Sequence, residues 1–253
     1  MTLHFEQRGD GPPVLLAGSL GTTLEMWAPQ VAALSGHFTT IAYDQLGHGH
    51  SPVPEGPYSI ERLGRAALAL MDALGLERAS FAGLSIGGMV GQWLAANAPQ
   101  RIDRLVLLCT TSHFPSADPW RARAERVLAK GTTSGIATDV VHRWLTPDYS
   151  ATHPTTVFDL REMIGRQPVD GYAACCAALA TLDLRDDLAK IVAPTLVIGG
   201  AQDLAIPPDN QRFLADHINN ARLELLDPGA HVVSIERADD VNRLIRQHLE
   251  AAP

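Results

Sequence analysis

The sequence predicts an α/β fold: a mostly parallel sheet flanked by helices, with a helical cap inserted into it. Three observations carry that expectation. Short apolar runs bounded by Gly, Asp or Pro recur along the chain, as strands buried on both faces of a parallel sheet should. Helical periodicities lie between them. Between about residues 114 and 187 the alternation stops, and only helical patterns are found.

The strand-like runs are Val14 to Ala17, Phe38 to Tyr43, Ser80 to Gly83, Leu105 to Cys109, Thr195 to Gly199 and Leu223 to Leu226. Ile60, Leu63, Ala67, Leu70, Met71 and Leu74 recur at helical spacing, with Ser59 as N-cap and Gly75 as stop. A small-residue-rich helix runs from Ile86 to Ala98 and meets Pro99. Val241, Leu244, Ile245, His248 and Leu249 form a C-terminal amphipathic helix. Pro119 to Lys130, Gly135 to Leu145, Thr155 to Arg166 and Gly171 to Leu182 each read as a helix. The expected division is therefore a core of residues 1–113 and 187–253, with a cap (lid) of residues 114–186. Such a lid would cover the carboxyl edge of the sheet, where ligands of open α/β sheets bind.

Composition narrows the function. With 253 residues and 46% hydrophobic content, a sizeable core is expected. A net charge of −8 without a Lys/Arg block disfavours nucleic acid and anionic membranes as partners. No apolar run approaches the roughly 18 residues that span a bilayer. Three cysteines, Cys109, Cys175 and Cys176, make neither a disulfide framework nor a metal-ligand spacing. A cytoplasmic protein without metal is the expectation.

Chemistry enters with Gly83-Leu84-Ser85-Ile86-Gly87, a G-x-S-x-G element between a strand-like and a helix-like run. A turn this tight strains its central residue and leaves no room for side chains two positions away. It presents Ser85 at a helix N-terminus, as a nucleophile. A serine needs a base. Of ten histidines, His231 follows the last strand-like run and precedes the final helix, the place this architecture gives its base. His48, His50, His113, His142 and His153 fit no such position, and His217 and His248 are expected on solvated helices. The acid should end the preceding strand, which selects Asp203 over Asp209. The oxyanion donors should be the backbone N–H groups of Ile86 and of Leu20, the latter located in Gly18-Ser19-Leu20-Gly21-Thr22 by its distance to Met26-Trp27.

Taken together, these residues resemble the α/β-hydrolase superfamily over nearly the whole chain, and within it the 3-oxoadipate enol-lactonases. Carrying segments are Gly18 to Thr22 with Met26-Trp27, Tyr43-Asp44 through Gly47-His48-Gly49 to Ser51, Gly83 to Gly88, and Cys109-Thr110-Thr111. Gly171-Tyr172-Ala173-Ala174-Cys175-Cys176 leading to Asp183-Leu184-Arg185 is the most specific, and Ala230-His231 with Ile235-Glu236 closes the set. Two positions depart from the pattern: Gly18 stands where the lactonases usually have Asn, and Leu46 where the superfamily usually has Arg, a change expected at the pocket rim. The resemblance implies ring opening of a lactone through an acyl-enzyme, no cofactor, and a role in catabolism of protocatechuate or catechol.

It also implies a small-molecule lactone substrate carrying a carboxylate, which needs a cation or donors. Cap arginines Arg121, Arg123, Arg143, Arg161 and Arg166 are the candidates, with Arg143 and Arg161 as the working pair. Trp144 and Trp120 are candidates for an apolar wall. The triad equally serves a carboxylesterase, another lactonase or a perhydrolase. A haloalkane dehalogenase would need a carboxylate where Ser85 stands. A catalytically silent binding protein on the same fold is the alternative of another class.

Overall fold

The computed structural model describes residues 2–251. Seven strands form one sheet: β1 (Phe5–Arg8), β2 (Pro13–Ala17), β3 (Thr39–Tyr43), β4 (Ala79–Leu84), β5 (Ile102–Leu108), β6 (Thr195–Gly200) and β7 (Ala221–Leu226). Their order is β1-β3-β2-β4-β5-β6-β7, and all neighbours are parallel except β1 with β3. The apolar runs of β4 and β6 are buried throughout, so these strands are covered on both faces.

Around the sheet pack α1 (Ala28–Leu34), α2 (Ile60–Ala73) and α3 (Ile86–Asn97). The Ser59 side chain caps α2 by accepting from the Arg62 amide at 3.1 Å. Gly75, at φ +68°, follows the helix in the left-handed region, where glycine carries no Cβ penalty.

Five helices lie between β5 and β6: α4 (Asp118–Lys130), α5 (Ser134–His142), α6 (Pro147–Thr152), α7 (Pro154–Gly165) and α8 (Val169–Ala180). The ends of this block meet, since the Leu184 amide donates to Ser112 O at 2.8 Å and His113 pairs with Asp183. The chain closes with α9 (Pro208–His217), α10 (Val233–Glu236) and α11 (Ala238–Glu250). Among the described residues, no helix is long and apolar enough to cross a membrane.

Sequence periodicity passes over β1, α1 and α6. Phe5-Glu6-Gln7-Arg8 is an edge strand with no apolar run, and its place comes from antiparallel pairing with β3. α6 is a short six-residue helix, capped by the Thr146 hydroxyl accepting from the Tyr149 amide.

Candidate active site

Strand order places the site. β3 lies to one side of β2, whereas β4, β5, β6 and β7 follow in sequence on the other, so the order reverses between β2 and β4. In such sheets the crevice beyond the strand ends opens at the reversal. The loop after β2 carries Gly18 to Thr22, and the turn after β4 carries Ser85.

Ser85 has φ 57° and ψ −118°, a backbone conformation that costs about 1–3 kcal/mol. Its surroundings enforce it. The Ser85 amide donates to Leu108 O at 2.9 Å, and the Thr110 hydroxyl donates to Ser85 O at 2.7 Å. A Cβ on Gly83 would lie 2.2 Å from Gly87 O, and one on Gly87 2.1 Å from Ala17 O. The turn is therefore wedged between two central strands and admits only glycine on either side. Ile86 opens α3, and among the described residues its amide has no acceptor. The Leu20 amide is likewise unpaired.

The loops after β6 and β7 bring Asp203 and His231 together. His231 Nδ1 lies 2.8 Å from Asp203 Oδ2. Asp203 Oδ1 accepts the amides of Ala205 at 2.7 Å and Ile206 at 2.9 Å, so the buried carboxylate is held by three N–H groups. This geometry sets the His231 tautomer, with the proton on Nδ1 and a lone pair on Nε2. Asp209, the other acid weighed from sequence, sits exposed at the start of α9 beside Arg212.

The His231 backbone is tied to the helical block. The amides of His231 and Val232 both donate to Trp144 O, at 3.0 and 3.1 Å. Glu236 bridges the same segments, taking the Ala230 amide on Oε2 at 3.0 Å and the Thr146 hydroxyl on Oε1. Cys109 is the unexpected neighbour. Its Sγ and ligand atoms of Asp203 and His231 all lie within 4.8 Å of one another. Burial, and then the Asp203 carboxylate, hold its thiol well above the ordinary range. A protonated thiol beside a carboxylate already holding three N–H groups suits a hydrogen-bond network better than a cation.

A cavity of about 250 Å³ opens over Ser85 and His231. Leu20, Trp120, Arg143 and Trp144 line it, and the Trp144 ring lies 6.0 Å from that of His231. Phe114, Arg123, Val140, Ala205 and Ile206 also line it. Arg161 does not. α7 buries Leu160 and Ile164, and Arg161, one position past Leu160, turns out to solvent. Arg121 and Arg166 are exposed and paired with Asp118 and Glu162. Arg123 takes the place expected of Arg161. It lies over the Trp120 ring at 4.8 Å, and its charge is felt by Arg143. Burial, then Arg123, lower the pKa of Arg143. Among the described residues neither guanidinium forms an ion pair. The pocket thus presents two cations short of an anion.

The two departures from the lactonase pattern are structurally distinct. A Cβ on Gly18 would come within 2.5 Å of Thr22 Oγ1 and 2.9 Å of Met26 Sδ, which fill the space a larger residue would need. Leu46 is not at the rim: it is 5% exposed and packs in the hydrophobic core, where an unpaired arginine would be costly.

The chain matches the family described as alpha/beta hydrolase fold over residues 12–238. It is 38% identical over 238 residues to 3-oxoadipate enol-lactonase 2 of Acinetobacter baylyi, covering 94% of this chain and 88% of that one. A Stutzerimonas stutzeri protein named for carbamate hydrolysis is 33% identical over 259 residues, with 98% and 96% coverage. Among solved structures, the enol-lactonase from Burkholderia xenovorans LB400 superposes with a TM-score of 0.95 at 42% identity, covering 98% of this chain and 96% of that one.

Proposed function

Because the chain belongs to the α/β-hydrolase family, we propose that it hydrolyses 3-oxoadipate enol-lactone to 3-oxoadipate through a Ser85-His231-Asp203 triad. One observation carries the substrate class. The cavity over Ser85 and His231 is otherwise largely apolar, yet its lining offers Arg143 and Arg123, which among the described residues have no carboxylate partner. A small acyl substrate with a carboxylate remote from the reacting carbonyl complements that lining. Residues 114–186 act as the cap that supplies it, with Trp120 and Trp144 as apolar walls.

Ser85 Oγ attacks the lactone carbonyl while His231 Nε2 takes its proton, and Asp203 stabilises the imidazolium. The oxyanion is received by the N–H groups of Ile86 and Leu20. Collapse breaks the ring C–O bond, leaving an acyl-enzyme. His231 protonates the departing enolate oxygen, and the enol tautomerises to the ketone. Water, deprotonated by His231, then attacks the acyl carbon, and Ser85 leaves with the proton. No step calls for a cofactor, and the product is that of aromatic-ring catabolism.

The test is hydrolysis of freshly generated 3-oxoadipate enol-lactone, followed by ultraviolet absorbance, beside p-nitrophenyl acetate and a simple γ-lactone. Ser85→Ala serves as the blank. A kcat/KM of at least about 10⁵ M⁻¹s⁻¹ for the enol-lactone, well above the ester, is expected. Brisk ester turnover with weak enol-lactone turnover overturns the substrate assignment and leaves the triad. The carbamate hydrolase relatives supply a second reading, and a carbamate run in the same assay decides between them.

A further inference from the structure

His48 has no place in the mechanism above, yet it is wholly buried and lies against the loop carrying the Leu20 oxyanion donor. Its Nε2 stands 2.9 Å from the amide nitrogen of Gly21, the residue after Leu20. An amide can only donate, so Nε2 is the acceptor and the ring proton sits on Nδ1. That edge faces Cys175 Sγ at 3.9 Å and the Leu46 carbonyl. The same loop is held at a second point, where Asp44 Oδ1 accepts the Leu24 amide at 2.7 Å. Asp44 and His48 come from one segment after β3, so that segment grips the loop at two points, within its turn and just past it. Gly21 has φ +89°, and a Cβ there would press on Tyr172 and Ile164 of the cap. The turn is thus confined from above and hydrogen-bonded from below.

We propose that His48 is a positioning residue for the oxyanion hole: as a neutral acceptor it holds the Leu20–Gly21 peptide with its N–H turned inward, which leaves the Leu20 N–H facing the substrate carbonyl. The inference rests on acyl transfer at Ser85 but on no particular substrate. The Leu20 N–H lies in the Ser19–Leu20 peptide, whose carbonyl also accepts the Thr22 hydroxyl at 2.9 Å; orienting the neighbouring Leu20–Gly21 plane restrains the Leu20 φ and ψ that join the two. The Thr22 amide, donating to Ser19 O at 3.1 Å, completes the turn. Losing an oxyanion donor outright costs about 10²–10³ in rate, so loosening one should cost less. Burial depresses the pKa of His48 to about 4, with Asp44 and the Leu46 carbonyl opposing, so the acceptor form persists at neutral pH.

The test compares wild type, His48→Leu and His48→Gln on p-nitrophenyl acetate, with binding of a phenylboronic acid, whose adduct with serine carries a tetrahedral oxyanion. Leucine removes the acceptor, whereas glutamine can place Oε1 near the position of Nε2. His48→Leu should lose about ten- to hundredfold in kcat with KM within about threefold, and boronate affinity should fall by a similar factor. His48→Gln should recover most of both. Nitrogen-15 spectra of wild type should show His48 with Nδ1 protonated and Nε2 bare, a readout independent of how the variants fold. An Nε2–H tautomer, or a folded His48→Leu with kcat and boronate affinity within about twofold of wild type, overturns the assignment. A wild-type protein that neither hydrolyses the ester nor binds the boronate instead overturns acyl transfer at Ser85, and His48's role with it.

Discussion

Acid should destabilise this protein in part through His48, and His48→Gln should remove that part. Unfolded histidine titrates near pH 6.5, whereas the folded environment holds His48 at about 4. Between those values the unfolded chain binds a proton that the native protein refuses. Stability therefore falls as pH falls through this window, and is fully regained above it. A shift of about 2.5 units corresponds to about 3 kcal/mol at the acid limit, and to about 2 kcal/mol between about pH 7.5 and pH 5. The groups facing the ring are Asp44, Cys175 and Tyr172. His248, also lowered to about 4 by burial and then Arg104, adds a slope of the same sign, so the wild-type curve carries at least two histidines. Glutamine does not titrate and preserves an acceptor for Gly21. Equilibrium urea unfolding across that pH range, followed by tryptophan fluorescence, should give a wild-type loss about 2 kcal/mol larger than the variant's. Parallel pH dependences would refute the reasoning, since they would mean that His48 takes up its proton natively at no cost.

Other outcomes follow from the same geometry. Asp203→Asn should cost about 10⁴-fold in kcat without unfolding the protein. The amide oxygen can still accept from Ala205 and Ile206, but its NH₂ then faces His231 Nδ1 and favours the proton on Nε2; a loss below tenfold would point to another acid. Arg143→Met should raise KM for the enol-lactone by about ten- to hundredfold, as loss of a charge-assisted contact does, and should barely affect p-nitrophenyl acetate. Arg161→Met, on the solvent face of α7, should leave both substrates unchanged. Gly87→Ala places a methyl 2.1 Å from Ala17 O, against backbone at the end of β2 that cannot yield; it should destabilise by more than about 3 kcal/mol or abolish soluble protein, measurable as lost yield and urea midpoint.

Local features were legible in the chain because their causes are local. Buried parallel strands need continuous apolar runs, and β2 to β7 each show part of one. The turn at Ser85 needs glycine at 83 and 87 whatever surrounds it, so its sequence declares it. The order of Ser85, Asp203 and His231 along the chain follows from which strand each terminates. β1 declares nothing, because an edge strand with Glu6, Gln7 and Arg8 is held by its neighbour's hydrogen bonds and not by its own burial.

The choice among chemically equivalent residues belonged to tertiary structure. Five cap arginines look alike in sequence; helix phase and the packing of α4 on α8 and of α5 on α7 turn Arg123 and Arg143 inward and Arg161 out. His48 reads as a loop histidine with no role, yet the crossing of the β2 and β3 loops buries it beneath Gly21. Cys109 meets Asp203 only because β5 and β6 are neighbours in the sheet. The sequence by itself determined the α/β-hydrolase fold and the turn at Ser85, through patterns whose physical causes span a few residues. Which side chains surround the site was decided by contacts between segments far apart in the chain, and these leave no periodicity to read.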